Sequence, residues 1–155
     1  MILPSNISGR CSEPPGFKLP RMQLNSPVVT CEQAAAAKKI PLENELKTLV
    51  LYTSCGLHSV HVRGDHRVSM RKVKRFLSSD EAFMLAPEEL AKLGLAAGTV
   101  SPILPPLWEV PHLISESVID LDFVSTNAGT LLTYFRFSPR ILLGAPKVFL
   151  GDFEG

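Results

Sequence analysis

Lys47 stands where an ammonium group needs an explanation. It heads the apolar, strand-forming run Lys47-Thr48-Leu49-Val50-Leu51, and β alternation puts it on the same side as Leu49 and Leu51. A cation held against apolar surface must find an anion or lose its proton. Position alone favours an ion pair with Glu45 or Glu43. The sharper alternative is a lysine at the mouth of a pocket, held for a substrate phosphate or a developing oxyanion. A second candidate is the segment Gly98-Thr99-Val100-Ser101-Pro102. Glycine lets a backbone approach a ligand closely, and successive N–H groups in such a turn can bind an anion. Loops of this composition are also plain connectors, and Asn127-Ala128-Gly129 reads first as a turn.

Other reactive residue types offer less. Cys55-x-x-His58 has the spacing of half a metal site, but Cys11 and Cys31 supply no second half, so neither a metal nor a cofactor is expected. His58 and His61 read as ordinary strand residues, and His112 has no visible partner. Cys31 reads as core rather than nucleophile. Nothing resembles a Ser-His-Asp set in a recognisable nucleophile motif. Arg63, Arg67, Arg71, Lys72, Lys74 and Arg75 form the one dense basic stretch, whose default reading is a solvated helix face.

The elements that must carry these residues follow from pattern. Thr30 and Gln33 form a capping box for a helix whose face is Cys31, Ala34 and Ala35, with Lys38 and Lys39 at its C-terminal dipole. Lys47 to Ser54 and Leu57 to Arg63 read as a hairpin around Cys55-Gly56. A helical period from Ser69 aligns Met70, Val73, Phe76 and Leu77, and a further helix runs from Pro87 to Gly94. Strands are expected at Val118 to Ser125, Leu131 to Phe137 and Val148 to Leu150, with a short helix capped by Ser138-Pro139. Residues 1–21, rich in proline and glycine, read as a flexible N-terminal extension, and residues 22–155 as a single domain. The fold class is α+β, with a mixed or mostly antiparallel sheet.

Composition narrows the function classes. A chain of 155 residues that is 45% hydrophobic and 20% charged is ordinary for one globular domain. A net charge of +1 says little about partners, but it lacks the strong basic excess usual for a protein that coats nucleic acid, so any RNA contact must be local. No apolar run approaches the ~20 residues that span a bilayer, and the start does not read as a secretion signal. Three widely spaced cysteines suit free thiols in a reducing cytoplasm.

Taken in order, Thr30-Cys31-Glu32-Gln33-Ala34-Ala35, Glu45-Leu46-Lys47-Thr48-Leu49-Val50-Leu51, Gly64-Asp65-His66-Arg67-Val68, Gly98-Thr99-Val100-Ser101-Pro102 and Asn127-Ala128-Gly129 resemble the YbaK-type family. That family comprises free-standing aminoacyl-tRNA deacylases and is similar to the editing domain inserted in bacterial prolyl-tRNA synthetases. The resemblance spans roughly Met22 to Phe153. It implies a twisted mixed sheet, partly closed like a barrel, with helices around it.

The resemblance also implies the substrate, a mischarged tRNA, and the roles. Lys47 matches the family's functional lysine. Gly98, Ser101 and Pro102 match the pocket loop, with Lys47, Gly98 and Ser101 as the catalytic groups. Thr30, Thr99, Val100, Pro102, Asn127 and Gly129 would bind substrate. Arg67, Arg71, Lys72, Lys74 and Arg75 are the tRNA-binding candidates, and an aminoacyl-tRNA synthetase is a possible partner. Thr99 stands at the loop's second glycine, Pro105-Pro106 where many members carry another glycine, and Ser115 where many carry aspartate. These departures bear on specificity. They also keep open a non-catalytic tRNA- or synthetase-binding module, or a hydrolase of another small ester.

Overall fold

The structure, a computed structural model, describes residues 2–3 and 13–155. Cys11 and the expectation for residue 1 and residues 4–12 lie outside the described residues. Strand β1 (Ile2–Leu3) pairs antiparallel with the last strand, β9 (Val148–Gly151). Pro15–Lys18 forms a 3-10 turn, and Gly16 N–H donates to the Ile103 carbonyl at 3.0 Å. A Cβ at Gly16 would lie 2.8 Å from that oxygen, so glycine permits the close approach.

The predicted hairpin is the centre of the fold. β3 (Leu46–Thr53) and β4 (Gly56–Arg63) pair antiparallel with Leu49 opposite Val60. β5 (Ala82–Met84) lies on the outer side of β3. On the other side, β4 pairs in parallel with β6 (His112–Ser115), which pairs in parallel with β9. A second, three-stranded sheet joins β2 (Met22–Gln23), β8 (Thr133–Phe137) and β7 (Val124–Asn127), all antiparallel. A lone bridge from Glu45 to Ser125 links the sheets. The fold is α+β with mostly antiparallel pairing, and the partial barrel takes the form of two open sheets meeting at one corner.

Helices cover this framework. In α1 (Cys31–Lys38), Thr30 Oγ1 accepts from Gln33 N–H at 3.0 Å and Gln33 Oε1 accepts from Thr30 N–H, which completes the expected capping box. In α2 (Met70–Leu77), Val73, Met70, Phe76 and Leu77 pack on Leu51, Val60, Val62 and Phe153, as their spacing predicts. α3 (Pro87–Lys92) starts on its proline and turns out through Gly94. The Ser138-Pro139 expectation holds as a 3-10 helix, Pro139–Gly144.

One strand is corrected. Val118 to Ser125 is split into a helical turn, α4 (Glu116–Ile119), and β7, with bends at Leu121-Asp122 between them. Aspartate favours turns, and Asp120 and Asp122 outweigh the strand preference of the neighbouring Val118 and Ile119. Four strands escaped the pattern altogether: β1, within the segment read as an extension, and β2 are each two residues long, too short to show alternation. β6 is buried at every position and flanked by parallel partners, so it shows no alternation to detect. β5 is three residues long.

Candidate active site

A cleft of about 180 Å³ opens between β3, α1, the β7–β8 turn and the Gly98 loop. Of the residues singled out by sequence, Thr30, Lys47, Gly98, Val100 and Asn127 line it. The hairpin strand supplies Lys47 and Thr48, and the capped first turn of α1 supplies Thr30 and Cys31. Gly98 holds φ +84°, a conformation that glycine adopts without strain. Asn127 Nδ2–H donates to the Val100 carbonyl at 2.9 Å, while its Oδ1 accepts from Gly129 N–H at 3.0 Å. The asparagine thus fastens the loop to the turn.

The loop is a partition. Gly98 and Val100 line the cleft, whereas Thr99 and Ser101, with Gly129, line a second cavity of about 340 Å³ behind it. Ser101 Oγ is buried there with no hydrogen-bond partner. Pro102 is buried and lines neither space.

Lys47 Nζ donates to the His66 carbonyl at 2.6 Å. The ion pair that position favoured does not form: Glu45 is taken by Lys38, and Glu43 lies 3.9 Å from Arg63. A carbonyl fixes the ammonium without neutralising it and leaves two of its three N–H donors for a ligand. Lys47 is therefore a positioned cation with no ion-pair partner among the described residues.

Lys38 is the site residue that sequence reasoning missed. Its Nζ donates to both carboxylate oxygens of Glu45, at 2.9 and 3.1 Å, and to Ser125 Oγ at 2.9 Å, and it lies 4.6 Å from the Tyr134 ring centroid. Burial pulls the ammonium below its ordinary value and pushes the Glu45 carboxyl above its own, with each partner's charge opposing the shift. One signal was available: Lys38 falls four residues after Ala34, on the buried face of α1.

Cys31 lies at the cleft wall and not wholly in the core. Burial raises its thiol, and the nearby Lys47 charge only partly offsets this, which favours the neutral form. His112 does have a partner. His61 and His112 are both fully buried and lie 2.9 Å apart, Nε2 to Nδ1. Among the described residues no group of three or more His, Cys, Asp or Glu side chains is placed to hold a metal ion, and no helix is long and apolar enough to cross a membrane.

Arg67, Arg71, Lys72, Lys74 and Arg75 lie outside the cleft, on and before α2. Lys72 is engaged by Asp152 at 2.7 Å and the Glu154 carbonyl at 2.6 Å. Arg71 is exposed and Lys74 half-buried, with no ion pair to either among the described residues. If α2 meets a phosphate backbone, R71A/K74A should weaken tRNA binding and flatten its salt dependence by roughly one unit of slope per lost contact. An unchanged slope assigns these residues to solvent.

Residues 25–144 match the family profile described as an aminoacyl-tRNA editing domain. Among curated relatives, proline–tRNA ligase of Chlamydia caviae is 29% identical over 114 residues, 66% of this chain and 20% of the ligase. That of Fusobacterium nucleatum is 34% identical over 106 residues, 63% of this chain and 18% of the ligase. The chain thus spans a fifth or less of either. A crystal structure described as a candidate trans-editing enzyme for prolyl tRNA synthetase superposes with a TM-score of 0.80 at 23% identity, covering 100% of this chain and 99% of the other.

Proposed function

The chain belongs to the aminoacyl-tRNA editing domain family, and on that premise we propose that it is a trans-editing deacylase, hydrolysing the ester of mischarged tRNA. The observation that carries this reading is the cleft itself, small and walled by Cys31, Ala34 and Leu46, with the positioned Lys47 beside a glycine-bearing loop. A cleft of about 180 Å³ suits a small aminoacyl group at the end of the substrate. The tRNA body stays outside.

An aminoacyl ester is activated enough that water can attack without a protein nucleophile. Water adds to the carbonyl carbon, the tetrahedral oxyanion collapses, and the ester C–O bond breaks with the proton passing to the ribose oxygen. The products are free amino acid and tRNA. Lys47 supplies positive charge to the oxyanion or to the terminal phosphate. Backbone N–H groups of the Gly98 loop share the oxyanion, and the ribose hydroxyl beside the ester assists proton transfer. Alanine, cysteine, serine and threonine fit the volume, and pockets distinguish such groups by only about 1–3 kcal/mol, so more than one should be released. The work belongs in the cytoplasm, where tRNA is charged.

The test is release of alanine or cysteine from mischarged tRNA-Pro, chosen because the relatives are proline–tRNA ligases. Serine, threonine and small aminoacyl esters complete the panel. Rapid release from tRNA alone supports the proposal. Hydrolysis of the small esters alone assigns a different ester hydrolase, and tRNA binding without any release assigns a binding module.

A further inference from the structure

The buried histidines fix the polarity of a hydroxyl in the cleft. Thr48 lines the cleft beside Lys47, and its Oγ1 lies 2.8 Å from His61 Nδ1. His61 Nε2 lies 2.9 Å from His112 Nδ1, and His112 Nε2 lies 3.1 Å from the Trp108 carbonyl. Both rings are fully buried, which holds them neutral, so each carries one N–H. A carbonyl can only accept, so the His112 proton sits on Nε2 and its Nδ1 accepts. That places the His61 proton on Nε2, leaving Nδ1 to accept from Thr48. Ser59 Oγ lies 3.1 Å from His61 Nε2, 3.2 Å from His112 Nδ1 and 3.3 Å from the Pro111 carbonyl. Were its hydroxyl to donate to His112 Nδ1 in place of His61, two bare ring nitrogens would face each other at 2.9 Å, so it donates to the Pro111 carbonyl and its oxygen accepts from His61. The Thr48 proton is committed inward, so a ligand that reaches its oxygen meets only lone pairs.

We propose that Thr48 is a specificity-determining acceptor that binds the α-amino group of the aminoacyl ester, a reading that rests on the function proposed above. The acyl end is the part of the substrate that a cleft of this size suits, and Leu46 and Thr48 of β3 are among the residues that line it. Glu45, the carboxylate that would otherwise take an amino group, has both oxygens engaged by Lys38. Thr48 remains as a fixed acceptor. The same geometry argues against Thr48 as a nucleophile, because the proton it would shed has no route onward: the chain ends on a carbonyl, and no carboxylate of the described residues contacts either ring to stabilise an imidazolium.

Two measurements test this on the full chain. The first compares tRNA acylated with alanine against tRNA acylated with propionic acid, which lacks only the amino group, each rate divided by its uncatalysed rate. The parent should favour alanine by about tenfold or more, the worth of a hydrogen bond to a charged group. T48V should bring the two rates to within about threefold by slowing alanine alone, while T48S keeps the preference. An undiminished preference in T48V, or an acid-trapped acyl group on Thr48, overturns the proposal. The second is nitrogen NMR of the parent's histidines. His61 and His112 should both carry their proton on Nε2, and a proton on Nδ1 of either overturns the proposal even if folding of T48V fails. If the parent releases nothing from any charged tRNA, the deacylase reading itself fails, and the tautomers still decide the polarity of Thr48.

Discussion

Methionine in place of Lys38 should destabilise the protein by about 3–5 kcal/mol, the typical loss when one partner of a buried ion pair is removed. The side chains of Lys38 and Glu45 are 3% and 7% exposed, so solvent screening does not reduce the figure. Their bond joins α1 to the start of β3, and Lys38 also donates to Ser125 on β7, at the corner where the two sheets meet. Without the ammonium, the Glu45 carboxylate is left uncompensated in a site that already raises its pKa. The sign of the pH dependence follows. A carboxyl whose folded pKa lies above its unfolded value is best tolerated when protonated, so K38M should regain stability as pH falls from neutral toward about 4.3. Replacing both residues, K38M with E45M, should recover most of the loss at neutral pH, because paired hydrophobic substitutes are often neutral or better. Urea unfolding at pH 7 and pH 5 measures all of this through the transition midpoint at constant slope. A single variant within about 1 kcal/mol of the parent would show that the pair is a solvated contact instead.

Local features were legible in the sequence because their causes lie within a few residues. The Thr30–Gln33 box, the hairpin around Gly56 and the apolar face of α2 each follow from spacing alone, and each is present. Long-range pairing was not legible. His61 and His112 are 51 positions apart, and nothing in either neighbourhood specifies that β4 and β6 will be parallel neighbours. Lys38 reads as a helix-terminal cation until Glu45 folds beneath it. The Gly98 loop shows a third kind of gap. Its residues were readable as a unit, but which of them faces the cleft depends on backbone direction, and alternation sends Thr99 and Ser101 into the neighbouring cavity. Ser101 therefore lines the far side of the partition and not the cleft.

Alanine in place of Lys47 should lower the deacylation rate constant by roughly 10²–10³-fold, the loss seen when one preorganised oxyanion donor is removed. The structure gives two reasons to expect an effect of that size. The ammonium is held by the His66 carbonyl at 2.6 Å, so it is oriented before substrate arrives, and its charge is not spent on a carboxylate. Of the ionisable groups lining the cleft, Lys38 and Glu45 cancel and the Cys31 thiol is neutral, which leaves Lys47 as the net charge a developing oxyanion would meet. The substitution also leaves the His66 carbonyl without its donor, so a stability loss of about 1 kcal/mol should accompany the kinetic one. The two effects separate cleanly. Urea unfolding gives the second, and single-turnover deacylation, run where the variant is fully folded, gives the first. A K47R variant restores charge with different geometry, and its planar fork cannot place one donor on His66 and aim the others as an ammonium does, so partial recovery is expected. If K47A hydrolyses within a fewfold of the parent while folded, the oxyanion is held by backbone N–H groups and the ribose hydroxyl alone, and Lys47 serves only to pin the segment before α2.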